Sequence, residues 1–130
     1  MVKKKKTVEV ATLTEPVALE DIASEDNLRR NLEEVKTYDG VIGYILRNTT
    51  SASIDLKDPT KIIDYAILSS EAFATASQLS ELFDLGNVKS ILVEGNTVKM
   101  LSLAVGDNKI GVFMEKNADW GKVLKKLTER

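Results

Sequence analysis

The segment DPTKIIDYAILSSEAFATASQLSELFDLG, residues 58–86, contains the longest helical pattern in this chain. Asp58 is a residue type that caps helix N-termini, and Pro59 suits the first helical position. Gly86 is typical of the left-handed residue that follows a helix end. Because no glycine or further proline interrupts the residues between them, the segment predicts one long helix on which the other elements pack.

Apolar and small residues form two stripes on this predicted helix. The first has the spacing of a face packed on a core, and it comprises Ile62, Ile63, Ala66, Ser70, Phe73, Ala74 and Ser77. The second has the alternating steps of four and three that are typical of a seam between two helices, and it comprises Tyr65, Ser69, Ala72, Ala76, Leu79 and Phe83. One domain of this size rarely buries a helix on two sides. The second stripe therefore predicts a subunit contact, unless another helix or the N-terminal segment covers it.

A third strip of the helix is predicted to face outward, and it comprises Lys61, Asp64, Leu68, Glu71, Thr75, Gln78 and Leu82. Apolar residues ringed by polar ones have the composition of a protein contact, so this strip is a predicted partner-binding surface. The alternative is that Leu68 and Leu82 are scattered surface residues, which are common.

The composition excludes several classes of function. The chain has 130 residues, which suits one domain, and it contains no cysteine and no histidine. These absences exclude disulfides, Ser/His and Cys/His nucleophiles and the usual zinc ligand sets, and we expect neither a metal nor a cofactor.

Charge and hydropathy restrict the partners. The four lysines at positions 3–6 leave 14 basic and 20 acidic residues in the remainder, a net charge of −6. We therefore expect no nucleic-acid binding by the folded body. No apolar run approaches the roughly 20 residues that span a bilayer, and no secretory signal is evident, so we expect a cytoplasmic protein.

Shorter patterns predict the other elements. These are a helix capped by Ser24 or Asp26, strands over residues 41–47 and 52–56, the long helix, strands over residues 88–94, 97–105 and 110–115, and a helix capped by Asn117. The order α-β-β-α-β-β-β-α predicts an α/β protein of the α+β type. Its five-stranded antiparallel sheet would carry the long helix on one face and both terminal helices on the other.

Residues 1–24 are predicted to form a largely flexible N-terminal extension to a domain that spans residues 25–130. The lysine run predicts a solvated tail. Val8 and Val10 alternate with polar residues and could add an edge strand, whereas Pro16 indicates a loop.

Five segments carry a family resemblance, namely residues 39–45 (DGVIGYI), the small-residue helix over 69–80, residues 88–95 (VKSILVEG), residues 105–107 (VGD) and residues 117–119 (NAD) before Trp120. In this order and spacing, residues 25–130 resemble the roadblock/dynein light chain family in its compact prokaryotic, archaeal-type form. The chain departs from the family at residues 48–53, where relatives usually have an Asp-Gly type of turn.

The resemblance implies a roadblock/profilin-like fold and a non-catalytic adaptor. Family members form dimers by pairing their long helices and joining their third strands, which would add Ile91 and Val93 to the second stripe as the interface of a homodimer. The implied partners are a Ras-like small GTPase, dynein intermediate chains or other roadblock subunits in signalling and motility complexes. The outward strip is the predicted docking surface for the GTPase.

The sequence gives little support to an enzyme. Gly40 and Gly43 lack the other residues of a phosphate-binding loop, so they predict a turn into a strand. Asp55 and Asp58 could bind magnesium, but a strand end and a helix cap are the expected roles. For Arg47 we expect a cross-strand ion pair rather than a nucleotide contact.

An alternative function is a small-molecule-binding sensory module of profilin-like fold. Such a module would require a cavity, and the side chains predicted to line it are Tyr44, Phe113 and Trp120.

Overall fold

A computed structural model of the chain describes residues 26–128. The predicted tail, the possible strand around Val8 and Val10 and the Ser24 cap lie outside these residues. The elements are α1 (residues 26–35), β1 (Val41–Arg47), β2 (Ala52–Leu56), a 3₁₀ turn (Pro59–Lys61), α2 (Ile62–Leu82), β3 (Ser90–Glu94), β4 (Val98–Val105), β5 (Asn108–Glu115) and α3 (Trp120–Leu127).

The five strands form one antiparallel sheet in the order β2-β1-β5-β4-β3. The β3-β4 hairpin turns through Asn96 and Thr97, because the Gly95 N–H donates to the Val98 carbonyl at 2.9 Å. The β4-β5 hairpin turns through Gly106, whose φ of +59° is readily adopted by glycine. The sheet therefore has two edge strands, β2 and β3.

The core is divided between the two faces of the sheet. On one face, α1 and α3 bury Leu28, Leu32, Val35, Val123 and Leu127 against all the inner strands. On the other face, α2 packs on a cluster centred on Ile45, Met100 and Phe113. The predicted fold class, an α+β protein with the long helix alone on one face, is confirmed.

Both ends of the long helix differ from the prediction in detail. Asp58 caps the 3₁₀ turn that precedes α2, and its carboxylate accepts from the Thr60 N–H at 3.0 Å. This hydrogen bonding lowers the pKa of Asp58. At the other end the first left-handed residue is Asp84, with φ of 55°, and Gly86 follows with φ of +84°. The Leu85 N–H donates to the Ser80 carbonyl at 2.9 Å. The helix thus ends before Gly86, in a Schellman arrangement.

Four further boundaries differ. β3 begins at Ser90 rather than at residue 88, β4 begins at Val98 rather than at residue 97, β5 begins at Asn108 rather than at residue 110, and Asp119 rather than Asn117 caps α3. The Asp119 carboxylate accepts from the Lys122 N–H at 3.2 Å, which satisfies a free donor in the first turn.

The turn between β1 and β2, which lacks glycine, is closed by an asparagine side chain. Asn48 Oδ1 accepts from the N–H groups of Thr50 and Ser51, both at 2.9 Å. The Asn48 N–H in turn donates to the Ser51 carbonyl. Asparagine therefore supplies the local hydrogen bonding that this turn requires.

Candidate protein-binding surface

The position of α2 is set by three contacts with β5. Tyr65 stacks on Phe113 with ring centroids 4.3 Å apart and planes 8° apart. Ser69 lies over Gly111, where an added Cβ would come within 3.0 Å of its hydroxyl oxygen. Lys109 Nζ lies 5.9 Å from the Phe73 ring centroid. The helix therefore runs antiparallel to β5, close to the sheet.

These contacts correct the predicted sheet-facing stripe. Ile62, Ala66 and Phe73 do face the sheet, but Ile63 is 72% exposed and Ser70, Ala74 and Ser77 are also exposed. Relative to the prediction, the helix is rotated about its axis so that Tyr65 can reach Phe113.

The same rotation corrects part of the predicted dimer stripe. Tyr65 and Ala72 pack on the cluster around Phe113, and Ser69 is 3% exposed. Ser69 is therefore covered by the sheet of its own chain and is not free to face a second subunit, whereas Tyr65 and Ala72 are half-buried and stay predicted dimer contacts. The small side chain of Ser69 serves the close approach of α2 to Gly111. The half-buried Ala76 lies beside them.

The rest of that stripe remains accessible. Leu79 is 50% exposed and Phe83 is 70% exposed, at the C-terminal end of α2. The buried Ser69 and Phe73 mark the side of α2 that faces the sheet. Because the helix is right-handed and runs antiparallel to β5, the side that carries Leu79 and Phe83 faces β4 and β3. In agreement, α2 contacts both β3 and β4. We call this the β3 side of α2.

The edge strand β3 lies next to this side. Ile91 and Val93 point to the α2 face and are half-buried, and Val93 packs on the cluster around Phe113. Two hydrogen bonds show which residues of β3 direct their main-chain groups to β4. One runs from the Gly95 N–H to the Val98 carbonyl, and the other from the Ala104 N–H to the Lys89 carbonyl. The main-chain groups of Ile91 and Val93 consequently point to β4, whereas those of Ser90, Leu92 and Glu94 point away from the sheet.

The outward strip has the exposure that the sequence predicted. Lys61, Asp64, Glu71, Thr75 and Gln78 are exposed, as are the two leucines, Leu68 at 38% and Leu82 at 77%. The strip therefore combines apolar side chains with acidic and amide groups on the face of α2 opposite the sheet.

The sequence interpretation missed a further exposed pair. Ile63 and Ile67, which is 57% exposed, lie on the side of α2 that faces β1 and β2. Ile63 and Ile67 lie opposite Tyr65 and Ala72 on a helical wheel, and this pattern is visible in the sequence. It indicates exposure only once the contact between Ser69 and Gly111 shows which side of α2 faces the sheet.

The acidic residues considered for magnesium have structural roles. Lys36 forms an ion pair with Asp55, and the hydrogen bond to Asp55 raises the pKa of Lys36. Asp58 caps the 3₁₀ turn. Within residues 26–128, no group of acidic side chains is arranged to hold a metal ion.

Gly43 and Arg47, which were also considered for ligand binding, are explained by their positions in the sheet. A Cβ on Gly43 would lie 2.1 Å from the Asp55 carbonyl oxygen, so this glycine permits close strand pairing. The expected ion pair of Arg47 is wrong, because its cross-strand neighbours are Lys109 and Ala52. No ion pair of Arg47 occurs in the described part of the chain.

The residues proposed to line a ligand cavity do not meet. Tyr44 belongs to the cluster under α1 and α3, whereas Phe113 lies on the opposite face beneath α2 and is fully buried. The Tyr44 hydroxyl donates to Glu33 Oε2 at 2.8 Å. Burial, followed by this hydrogen bond, raises the pKa of Tyr44 to about 12.

The geometry defines a class of protein, a single α+β domain with an apolar edge strand, β3, beside a partly exposed helix. Three solved structures share this fold. They are a Roadblock/LC7 domain from Streptomyces avermitilis (14% identity, 78% of this chain and 85% of that chain, TM-score 0.62), the gliding protein MglB from Thermus thermophilus (17%, 80% and 82%, 0.62) and MglB from Myxococcus xanthus (12%, 77% and 85%, 0.64).

The chain has the roadblock fold, as the sequence resemblance predicted. No family sequence model matches the chain, and no curated protein matches it by sequence. Among residues 26–128, no helix has the length and apolar character that a membrane span requires.

Proposed function

We propose that the chain is a non-catalytic adaptor that forms a homodimer and binds a Ras-like small GTPase. The observation that carries this proposal is the open edge of β3 next to the exposed Leu79 and Phe83. An apolar edge strand of this kind pairs readily with another strand. A second copy would supply that strand with a matching set of main-chain groups.

The direction of the main-chain groups along β3 determines how two copies of this strand would pair in the proposed dimer. Because the main-chain groups of Ser90, Leu92 and Glu94 point outward, two antiparallel copies of β3 would pair through them around a two-fold axis near Leu92. The two sheets would become one continuous sheet. Leu79 and Phe83 of each copy would then come close to the α2 helix of the other copy, which would cover their apolar surface.

The outward strip is the proposed GTPase-binding surface. In the proposed dimer two strips lie on the same face, and each presents Leu68 and Leu82 among Lys61, Asp64, Glu71 and Gln78. Apolar anchors within a polar rim suit a protein contact of moderate affinity. The similarity to MglB, which is described as a gliding protein, extends the proposal to the assembly of a motility or signalling complex.

The proposal places this adaptor in the cytoplasm and assigns it no cofactor. Any effect on GTP hydrolysis would arise through the loops of the GTPase itself. None of the described arginines is placed as an inserted catalytic finger. The separation of Tyr44 from Phe113 gives no support to the sensory alternative.

The GTPase proposal is tested by affinity capture from a native lysate of the source organism, with bound proteins identified by mass spectrometry. The wild-type chain should retain a Ras-like GTPase, and Leu68→Ala combined with Glu71→Lys should lose it. A matched control, Ile63→Ala combined with Ser70→Lys, changes the same number of residues on the β1-β2 side and should retain capture. Equal capture by both double variants would refute the outward strip, and the absence of any GTPase would refute the function.

A further inference from the structure

The side of α2 that faces β1 and β2 carries a second apolar surface, on the opposite side from the proposed dimer contact. We call it the β2-side surface, and its helix residues are Ile63, Ile67, Ser70, Ala74 and Ser77. All five are exposed and uncharged, and they follow one another at steps of four, three, four and three residues. This spacing is typical of a seam along which a second helix packs.

The sheet adds an apolar side chain beside this seam. Ile54 on β2 is 42% exposed and points to the α2 face, because it pairs with the buried Ile45. Ile45 also pairs with Gly111, over which Ser69 lies. Ile54 is therefore level with the middle of the seam.

A basic pair lies at a different level of the same surface. Arg47 follows Ile45 by two positions on β1, so it points to the same face of the sheet, and it pairs with Lys109 on β5. Lys109 Nζ lies 5.9 Å from the Phe73 ring centroid, so the pair is about one helical turn beyond Ile54, towards the C-terminal end of α2.

The charges of this basic pair are not compensated. Lys109 is exposed and Arg47 is half-buried, and neither has an ion pair within residues 26–128. Like charges on directly opposite residues are unfavourable. An acidic group placed beside both would therefore be stabilised.

These features describe the chemistry of a partner. The seam spacing favours a helix, and Ser70, Ala74 and Ser77 are small enough for that helix to approach α2 closely. From Ile63 to Ala74 the surface extends about 16 Å, which about three turns of a helix cover. The partner needs aliphatic side chains at the level of Ile63 and acidic ones at the level of Ala74.

We propose that the β2-side surface binds an acidic amphipathic helix of a partner protein. Aliphatic side chains of this helix pack on Ile54, Ile63 and Ile67. Its carboxylates lie beside Arg47 and Lys109, one to two turns further along. The site is distinct from the outward strip and from the β3 side of α2, so the proposal does not depend on GTPase binding or on the dimer.

Two synthetic peptides of about 18 residues, long enough for about five helical turns, test the proposal. Both have leucines at heptad spacing in the middle of one seam. One peptide has glutamates and the other has lysines at both ends of that seam, so either direction of binding brings a charge to Arg47 and Lys109. Fluorescence anisotropy with the full chain should show at least about tenfold tighter binding of the glutamate peptide, because its charges attract where those of the lysine peptide repel. Equal affinities, or no binding of either peptide, would overturn the proposal.

A pair of double variants locates the apolar contact. Ile63→Ser with Ile67→Ser should weaken binding of the glutamate peptide at least about tenfold, because apolar area is no longer buried. Leu68→Ser with Leu82→Ser makes the same change on the outward strip and should leave the affinity unchanged. Any other order of affinities would place the peptide elsewhere and overturn the proposal.

A charge reversal tests the basic pair. Arg47→Glu with Lys109→Glu should make the lysine peptide the tighter ligand. Lys109→Glu alone alters one exposed residue, which keeps the test available if the double variant does not fold, and it should reduce the preference for the glutamate peptide about threefold. An unchanged preference in Lys109→Glu would overturn the assignment of the carboxylates to this pair.

Discussion

The strands β2 and β3 are both five-residue edges of the sheet, but their surroundings differ. β2 is tied by polar side chains to α1, through the hydrogen bond from Arg29 to Ser53, and to the turn after α1, through the ion pair of Lys36 with Asp55. β3 has the apolar residues Ile91, Leu92 and Val93 at its centre. In the described part of the chain, β3 pairs only with β4.

This difference shows how one sheet can have one edge suited to its own chain and another suited to a partner. Charged and polar side chains along an edge disfavour pairing with a second strand, whereas an apolar edge favours it. The two sides of α2 follow the same division in our account. The β3 side would meet a second copy, whereas the side that faces β1 and β2 lies next to the edge that polar side chains of the same chain hold.

The largest expected effect is on self-association. Leu79→Glu with Phe83→Glu would bury unpaired charges in the proposed interface and should weaken the dimer at least about 100-fold, since such burial costs several kcal/mol. The control Ile63→Glu with Ile67→Glu makes the same change on the opposite side of α2 and should leave the dimer intact. Analytical ultracentrifugation measures both dissociation constants. If the control also dissociates, the two sides of α2 do not differ as described.

A smaller effect is expected on β1, the strand next to the β2 edge. Tyr44→Phe removes the hydrogen bond to Glu33 and should lower the free energy of unfolding by about 1 kcal/mol, with no change in the dimer. Because folding raises the pKa of Tyr44 from the usual 10.0 to about 12, the folded state retains the proton longer than the unfolded chain. The wild type should therefore lose more stability than the variant as the pH rises from about 10 to about 12. Urea titration at several pH values measures this; parallel profiles would contradict it.

A small gain in stability is expected from a substitution at the end of α2 that leads to β3. Asp84 has φ of 55°, a conformation that is unfavourable for a residue with a side chain but is readily adopted by glycine. Asp84→Gly should raise the free energy of unfolding by about 0.5 kcal/mol. Gly86→Ala, where φ is +84°, should lower it. A loss of stability in Asp84→Gly would show that the carboxylate has a favourable contact that outweighs the backbone strain.

The smallest effect is expected from the first residues of the chain. The lysines at positions 3–6 cannot contribute apolar burial, so deletion of residues 1–13 should change the melting temperature by less than about 3 °C. Residues 14–25 are kept in this variant. A fall of more than about 5 °C would show that Val8 and Val10 contribute a strand to the folded domain.

The sequence was sufficient to predict the element order and the fold, because hydrophobic patterns and turn residues are local signals. The strand over Val41–Arg47 and the hairpin partner over Ala52–Leu56 were predicted at their observed bounds. The boundaries that differed depend on hydrogen bonds between residues several positions apart. The end of α2 is an example, since Asp84 takes the left-handed position directly after the helix that was expected of Gly86, and Gly86 has a positive φ two residues later.

The orientation of α2 could not be read from its own sequence. Two stripes of similar apolarity compete for the sheet, and the choice depends on Gly111 and Phe113, which lie some 40 residues further along the chain. Consequently the buried Ser69 was assigned to a subunit contact, while the exposed Ile63 was assigned to the core. The other predicted dimer contacts remain predictions, namely Tyr65, Ala72, Ala76, Leu79, Phe83, Ile91 and Val93.

The homodimer is the central claim of this account, and light scattering of the full wild-type chain coupled to size-exclusion chromatography tests it most directly. At micromolar concentration the measured mass should be twice the 14.3 kDa of one chain. The Leu79→Glu, Phe83→Glu variant provides the monomer reference in the same experiment. A wild-type mass of 14.3 kDa under these conditions would contradict the account, because the β3 edge and the β3 side of α2 would then have no partner in a second copy.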